Sequence, residues 1–195
     1  MLLTRHAQLN CKHEKPNSDS LGFTLLELMM TVSMLGILAS VAAPSFLTYI
    51  EQARVRSTTL ELQNSLVMAR NYALAHGQTV QLCQHSLTRS DICEPNYRSN
   101  RSWKYGWLIF VDTNNDNEFQ SDELIRKIAL SGESHVLFNQ RGRLRFFSNG
   151  MARSAGFYLC DEQSRTAKHI KLLHTGRIRT VDLSEPKVLK KCLDS

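Results

Sequence analysis

The chain has 195 residues, 42% of them apolar and 22% charged, enough for one modest globular domain plus whatever its ends add. That composition excludes collagen-like, mucin-like and wholly disordered classes. The net charge of +6 is unevenly placed: residues 54 to 140 carry nine basic and nine acidic side chains, whereas residues 141 to 195 carry twelve and five. A basic region on an otherwise balanced domain points to a polyanionic partner.

In chain order, the first informative segment runs from Leu28 to Ile50, 23 residues without a charge. That is the length needed to cross a bilayer core as a helix. It is longer than the apolar stretch of a cleaved secretory signal and continues into a helical pattern, so a membrane-spanning segment is the expectation. Glu27 sits at its edge, and a carboxylate in hydrocarbon is costly unless a cation meets it. A cut after Gly22 would leave an α-amino group on Phe23. Within one helix that amine cannot easily reach Glu27, so a neighbouring subunit is the natural source of the cation.

Beyond Ile50 the charge density rises while one face stays apolar. Val55, Thr59, Leu62, Leu66, Ala69 and Ala73 follow steps of three and four. Gly77 offers a left-handed stop. Pro44 removes a backbone hydrogen bond inside the pattern and predicts a bend. The reading is one long helix from about Phe23 to His76, its first half embedded in a membrane or filament and its second half packed on a soluble domain.

After Gly77 the period shortens. Strands are predicted at Thr79 to Cys83, Tyr105 to Val111, Leu124 to Ile128, His135 to Asn139, Leu144 to Phe147, Gly156 to Cys160, Ile170 to Leu173 and Ile178 to Leu183, separated by Gly, Asn, Asp and Ser. The fold class is α+β, with the strands in an antiparallel meander and Glu94 to Ser102 as an exposed loop. With Cys11 in the segment ahead of Gly22, four cysteines remain: Cys83, Cys93, Cys160 and Cys192. Proximity suggests pairing 83 with 93 and 160 with 192. A zinc site on Cys83, His85 and Cys93 is the rival, but it lacks a fourth ligand at a usual interval. From Asp112 to Glu123, oxygen side chains fall at calcium-loop spacing. The segment follows a strand, however, and a solvated turn explains it as well.

The C-terminal region carries the strongest chemistry. Gly176-Arg177-Ile178-Arg179 places two guanidinium groups at i and i+2, the same face of a strand, where they can engage successive phosphates. Gly176 would permit close backbone approach. His174, Lys171, Lys187, Lys190 and Lys191 widen the patch. Gly142-Arg143-Leu144-Arg145 repeats the pattern, but the following Phe146 and Phe147 give it the look of a packed strand, so Arg143 and Arg145 rank second. The plain alternative is that these cations only keep an edge strand soluble and unpaired. No nucleophile elbow, zinc-protease motif or phosphate-binding glycine loop occurs, so neither catalysis nor a cofactor or metal is expected.

The residues Gly22-Phe23-Thr24-Leu25-Leu26-Glu27, with Pro44 downstream, resemble the class III signal of type IV prepilins and type II secretion pseudopilins. Trp107-Leu108-Ile109-Phe110-Val111-Asp112 with its Asn-rich turn resembles the FimT/GspH branch of minor pilins. The Gly-Arg-x-Arg motif at Gly176 looks like the DNA-binding signature of FimT-type subunits that act in natural transformation. The resemblance implies a leader over residues 1–22, a transmembrane and polymerisation helix over 23–53, and a pilin-like domain over 54–195. It also implies cleavage between Gly22 and Phe23 and methylation of the new Phe23 amine by a prepilin peptidase, with assembly through Glu27. The partners it implies are other pilin subunits, the inner membrane before assembly, and DNA. Localisation would be single-pass in the inner membrane with a periplasmic domain, then the surface pilus. A structural pseudopilin or pilus-priming subunit without a DNA role is the alternative.

Overall fold

The computed structural model describes residues 22–86, 92–93, 101–132, 135–160 and 167–183, leaving aside the side chains of 41–44 and 183. Two compact units divide the chain at residues 42 and 43. In the first, Gly22 and Phe23 precede the helix in non-helical backbone. Helix α1 (Leu25–His76) starts where Thr24 caps it. The Thr24 hydroxyl accepts the Glu27 amide at 3.2 Å, and the Thr24 carbonyl accepts the Leu28 amide at 3.1 Å. This early part exposes its large apolar side chains: Phe23 is 82% exposed and Met34 66%. Among the described residues no single helix is long and apolar enough to cross a membrane, but Leu25–Ser40 and Ser45–His76 meet that requirement as a bent pair by length and composition. Pro44, where the bend is predicted, falls among the residues whose side chains are not described.

In the second unit the predicted stripe is buried at every position from Val55 to Ala73. Leu62 and Leu66 are fully enclosed, and each contributes about 2 kcal/mol by leaving water. Thr59 satisfies its hydroxyl by donating to the Val55 carbonyl at 2.6 Å. The helix ends at His76 because Gly77 takes φ +64°, a left-handed conformation that costs a glycine nothing.

Eight strands follow: β1 (Val80–Gln84), β2 (Gly106–Val111), β3 (Leu124–Ala129), β4 (His135–Phe138), β5 (Leu144–Phe146), β6 (Ala155–Cys160), β7 (Ala167–Leu172) and β8 (Ile178–Leu183). All pairings are antiparallel, as predicted, but the strands form two four-stranded sheets, not one meander. The first has the order β3-β2-β1-β5 and the second β4-β6-β7-β8. β1 to β3 and β6 to β8 are local meanders. Between them the chain crosses to the second sheet at β4 and back to the first at β5. The core draws on both sheets and the helix, with Trp103 set 5.2 Å from Phe138 and 4.9 Å from Phe157.

The expected loop from Glu94 is corrected at its end. Ser102 bridges Leu137, the Trp103 amide donates to the Val136 carbonyl at 2.7 Å, and so this segment lines β4; residues 94–100 lie outside the description. Cys83 and Cys93 form a disulfide with their Cα atoms 5.6 Å apart, which removes the zinc alternative. Closing that short loop restricts the unfolded chain by about 3 kcal/mol in the chain-entropy model. Cys160 is disulfide-bonded as well, while Cys192, its expected partner, lies outside the described residues.

Candidate nucleic-acid interface

The β7–β8 hairpin carries the second Gly-Arg-x-Arg copy. Its loop, His174-Thr175-Gly176, is closed by the Gly176 amide on the Leu173 carbonyl at 2.8 Å and the Leu173 amide on the Arg177 carbonyl at 2.9 Å. Three-residue hairpin loops of this kind place their last residue at positive φ, and Gly176 has φ +75°. A Cβ there would stand 2.0 Å from the Gly150 carbonyl oxygen and 2.8 Å from Arg70 Nε. The predicted role of Gly176 is therefore corrected: its bare face meets its own protein, not a ligand. Arg70 of α1 holds both turns, donating from Nε to the Gly150 carbonyl at 3.3 Å and from Nη2 to the Thr175 carbonyl at 3.2 Å. The Ala152 amide adds a bond to the His174 carbonyl at 3.0 Å.

Alternation along β8 then sorts the side chains. Ile178 packs against the core, and Thr180 donates to Gln63 of the helix at 3.1 Å. Arg177 and Arg179 take the opposite face, both exposed. Lys171, also exposed, stands directly across the ladder from Arg179. Among the described residues no carboxylate pairs with any of these three cations. The nearby Asp182 side chain is engaged by Lys168 instead.

On the same face His169 stacks on Tyr158, ring centroids 4.2 Å apart. The imidazole lies over Gly156, where a Cβ would come within 2.5 Å of its Nε2. Burial, and then the charge of Lys171, hold the His169 pKa below its ordinary value.

The first copy of the motif fares differently. The Arg143 side chain is 6% exposed. It pairs with Glu118 at 3.2 Å, donates to the Asn117 carbonyl, and lies over the Phe110 ring. It cannot meet a polyanion in that position, which corrects its place among the candidates. Arg145 is half-buried and donates to Gln81 at 3.3 Å, while Gln81 in turn donates to Asp112 at 2.8 Å. Lys187, Lys190 and Lys191 lie outside the described residues.

The acidic turn beside Arg143 uses its own oxygens. Asp116 accepts from Asn114, from Gln120 and from the Glu118 amide, the last being the main cause that its pKa lies below the usual carboxylate value. Glu123 accepts both the amide and the hydroxyl of Thr113 at 2.8 Å. Asn115 and Asn117 adopt positive φ, as Asn does in turns. Among the described residues no group of three or more His, Cys, Asp or Glu side chains is placed to hold a metal.

A family model described as Type II transport protein GspH matches residues 58–176, well over half of the chain. The chain belongs to the GspH family. The prokaryotic N-terminal methylation motif matches residues 17–43, which include Gly22, Phe23 and Glu27. A fimbrial protein of Neisseria meningitidis serogroup B is 37% identical over 62 residues, 32% of this chain and 36% of that protein. The type IV major alpha-pilin of Moraxella bovis is 36% identical over 70 residues, 36% of this chain and 43% of that one. The GspH-family chain thus spans well under half the length of these curated relatives. The Pseudomonas aeruginosa type IV minor pilin FimU shares its fold, with a TM-score of 0.50 at 15% identity over 70% of this chain and 98% of that one. Fold and family are those of minor type IV pilins and pseudopilins, a structural and not an enzymatic class.

Nothing in the local pattern singles out Arg70. It sits one position off the apolar stripe, between Ala69 and Asn71, and only the fold brings it to two distant turns.

Proposed function

We propose that this chain is a minor pilin of a type IV pilus that captures extracellular DNA for uptake, holding phosphates on the β7–β8 hairpin without reading sequence. The observation that carries this reading is the exposed trio of Arg177, Arg179 and Lys171 on one face, free of carboxylate partners among the described residues. Guanidinium groups two residues apart on a strand match the spacing of neighbouring phosphates, and among the described residues no recognition helix is presented beside them to read bases. Three engaged cations give a slope of log affinity against log salt of about −3 on duplex DNA. Single-subunit affinity is then weak, and several subunits in a filament gain by avidity.

The N-terminal half fits the same reading. Gly22 and Phe23 stand exposed before the helix, open to cleavage and methylation by a prepilin peptidase. The new amine of one subunit would meet Glu27 of the next, and the exposed apolar helix would be covered first by the inner membrane as a single span and then by neighbouring subunits. Intact mass of the mature protein tests the processing: a chain starting at N-methyl-Phe23 supports it, and one retaining residues 1–22 removes it.

Gel shifts with the full chain in detergent, across a salt series, test the interface. Arg177→Gln with Arg179→Gln is expected to weaken duplex binding and flatten the salt slope. The description of the matching family favours a second reading, a structural pseudopilin of type II secretion. Unchanged DNA binding in the double variant would remove the hairpin site, and no binding by the wild-type chain would leave that reading standing.

A further inference from the structure

A second basic feature adjoins the hairpin. A cleft of about 850 Å3 opens between the turn after β4 and the strands around β5, lined by Arg141, Arg153 and Phe147 among others. Arg141 and Arg153 are exposed, and neither makes a side-chain bond among the described residues. The two aromatic residues after Arg145 part company here: Phe146 is fully buried, whereas Phe147 is 48% exposed. A rigid turn holds Phe147, whose amide donates to the Met151 carbonyl and whose carbonyl accepts the Gly150 amide, both at 2.8 Å. The same turn meets the tip of the β7–β8 hairpin where Gly150 packs on Gly176. Glu118 on the far wall is neutralised by Arg143. Asp116, also on that wall, keeps its charge low in pH and makes the cleft basic on one side only.

We propose that this cleft takes an unpaired nucleobase, with Phe147 stacking on its face and Arg141 and Arg153 holding the flanking phosphates, so that the subunit prefers DNA with a single-stranded end to blunt duplex. An apolar ring presented among free guanidinium groups suits a ligand that is flat and anionic together, which a nucleotide of an open strand is and a duplex exterior is not. The proposal rests on the DNA-capture reading and specifies the form of DNA captured. Stacking on one aromatic side chain corresponds to about fivefold or more in affinity per base.

The test is fluorescence anisotropy with the full chain in detergent, comparing a labelled blunt duplex with a duplex of equal phosphate number bearing a 3′ overhang. The wild-type chain is expected to bind the overhang about fivefold more tightly. Phe147→Ala should erase that preference and leave the blunt duplex unchanged, and Arg141→Gln with Arg153→Gln should reduce it. Phe147→Trp should keep the preference, its indole emission quenched by the overhang and not by blunt duplex. Equal binding of both probes by the wild-type chain, or a preference surviving in Phe147→Ala, overturns the cleft proposal alone. Binding of neither probe overturns the capture reading and this proposal together.

Discussion

The two Gly-Arg-x-Arg copies share a motif and a strand context but not a fate. Around Gly142, the arginines are drawn inward: Arg143 to Glu118 and the Phe110 ring, Arg145 to Gln81. Around Gly176, both arginines stay on the open face of an edge strand, opposite another cation. The neighbours make the difference. The first copy abuts the acidic turn that follows β2, whereas the second faces Lys171 and His169 on β7. A cationic motif is available for a partner only where the fold supplies it no anion of its own.

Four variants break or sharpen that contrast, in descending order of effect. Gly176→Ala forces a side chain onto the Gly150 carbonyl at positive φ and should destabilise the fold by about 3 kcal/mol, lowering the Tm by about 10 °C in a circular-dichroism melt. A Tm within a degree or two of wild type would show that the two turns are not locked together. Arg143→Met strips Glu118 and the Asn117 carbonyl of their donor, for a loss of about 2 kcal/mol in denaturant unfolding, while DNA affinity stays as it was. If affinity fell instead, the inward copy would be the binding one and the contrast would reverse.

Arg177→Gln with Arg179→Gln is the mirror image. Stability holds, DNA affinity falls about tenfold, and the salt slope shallows by about two units. The smallest effect belongs to His169. Its folded pKa lies below the unfolded one, so the associated stability is fully present above the ordinary imidazole value of 6.5 and declines as the pH falls below it. Wild type should therefore lose Tm on acidification relative to His169→Phe. A parallel pH dependence in the two would remove the imidazole from the account.

Much of the architecture was legible from local pattern alone. The Val55 to Ala73 stripe, the stop at Gly77 and the positions of all eight strands follow from periodicity and breakers, which act over a few residues. The exchange of β4 and β5 between sheets did not, because each is a short apolar run that either sheet could pair, and only the assembled core chooses. The site divides the same way. The exposure of Arg177 and Arg179 follows from strand alternation, and the lower rank of Arg143 from its apolar neighbours. The Gly176 contact with Gly150 and the reach of Arg70 depend on segments far apart in sequence, and no window of the chain contains both halves. Phe147 illustrates the limit of pattern: it adjoins the fully buried Phe146, yet the turn that follows leaves its ring half in water.

Arg70 sets how the molecule bears a load. Its guanidinium ties the tip of the β7–β8 hairpin to the long helix, and through the Gly150 carbonyl to the neighbouring turn. On the DNA-capture reading, traction on a strand held by the hairpin would pass through Arg70 into the domain half of the helix instead of peeling an edge strand from its sheet.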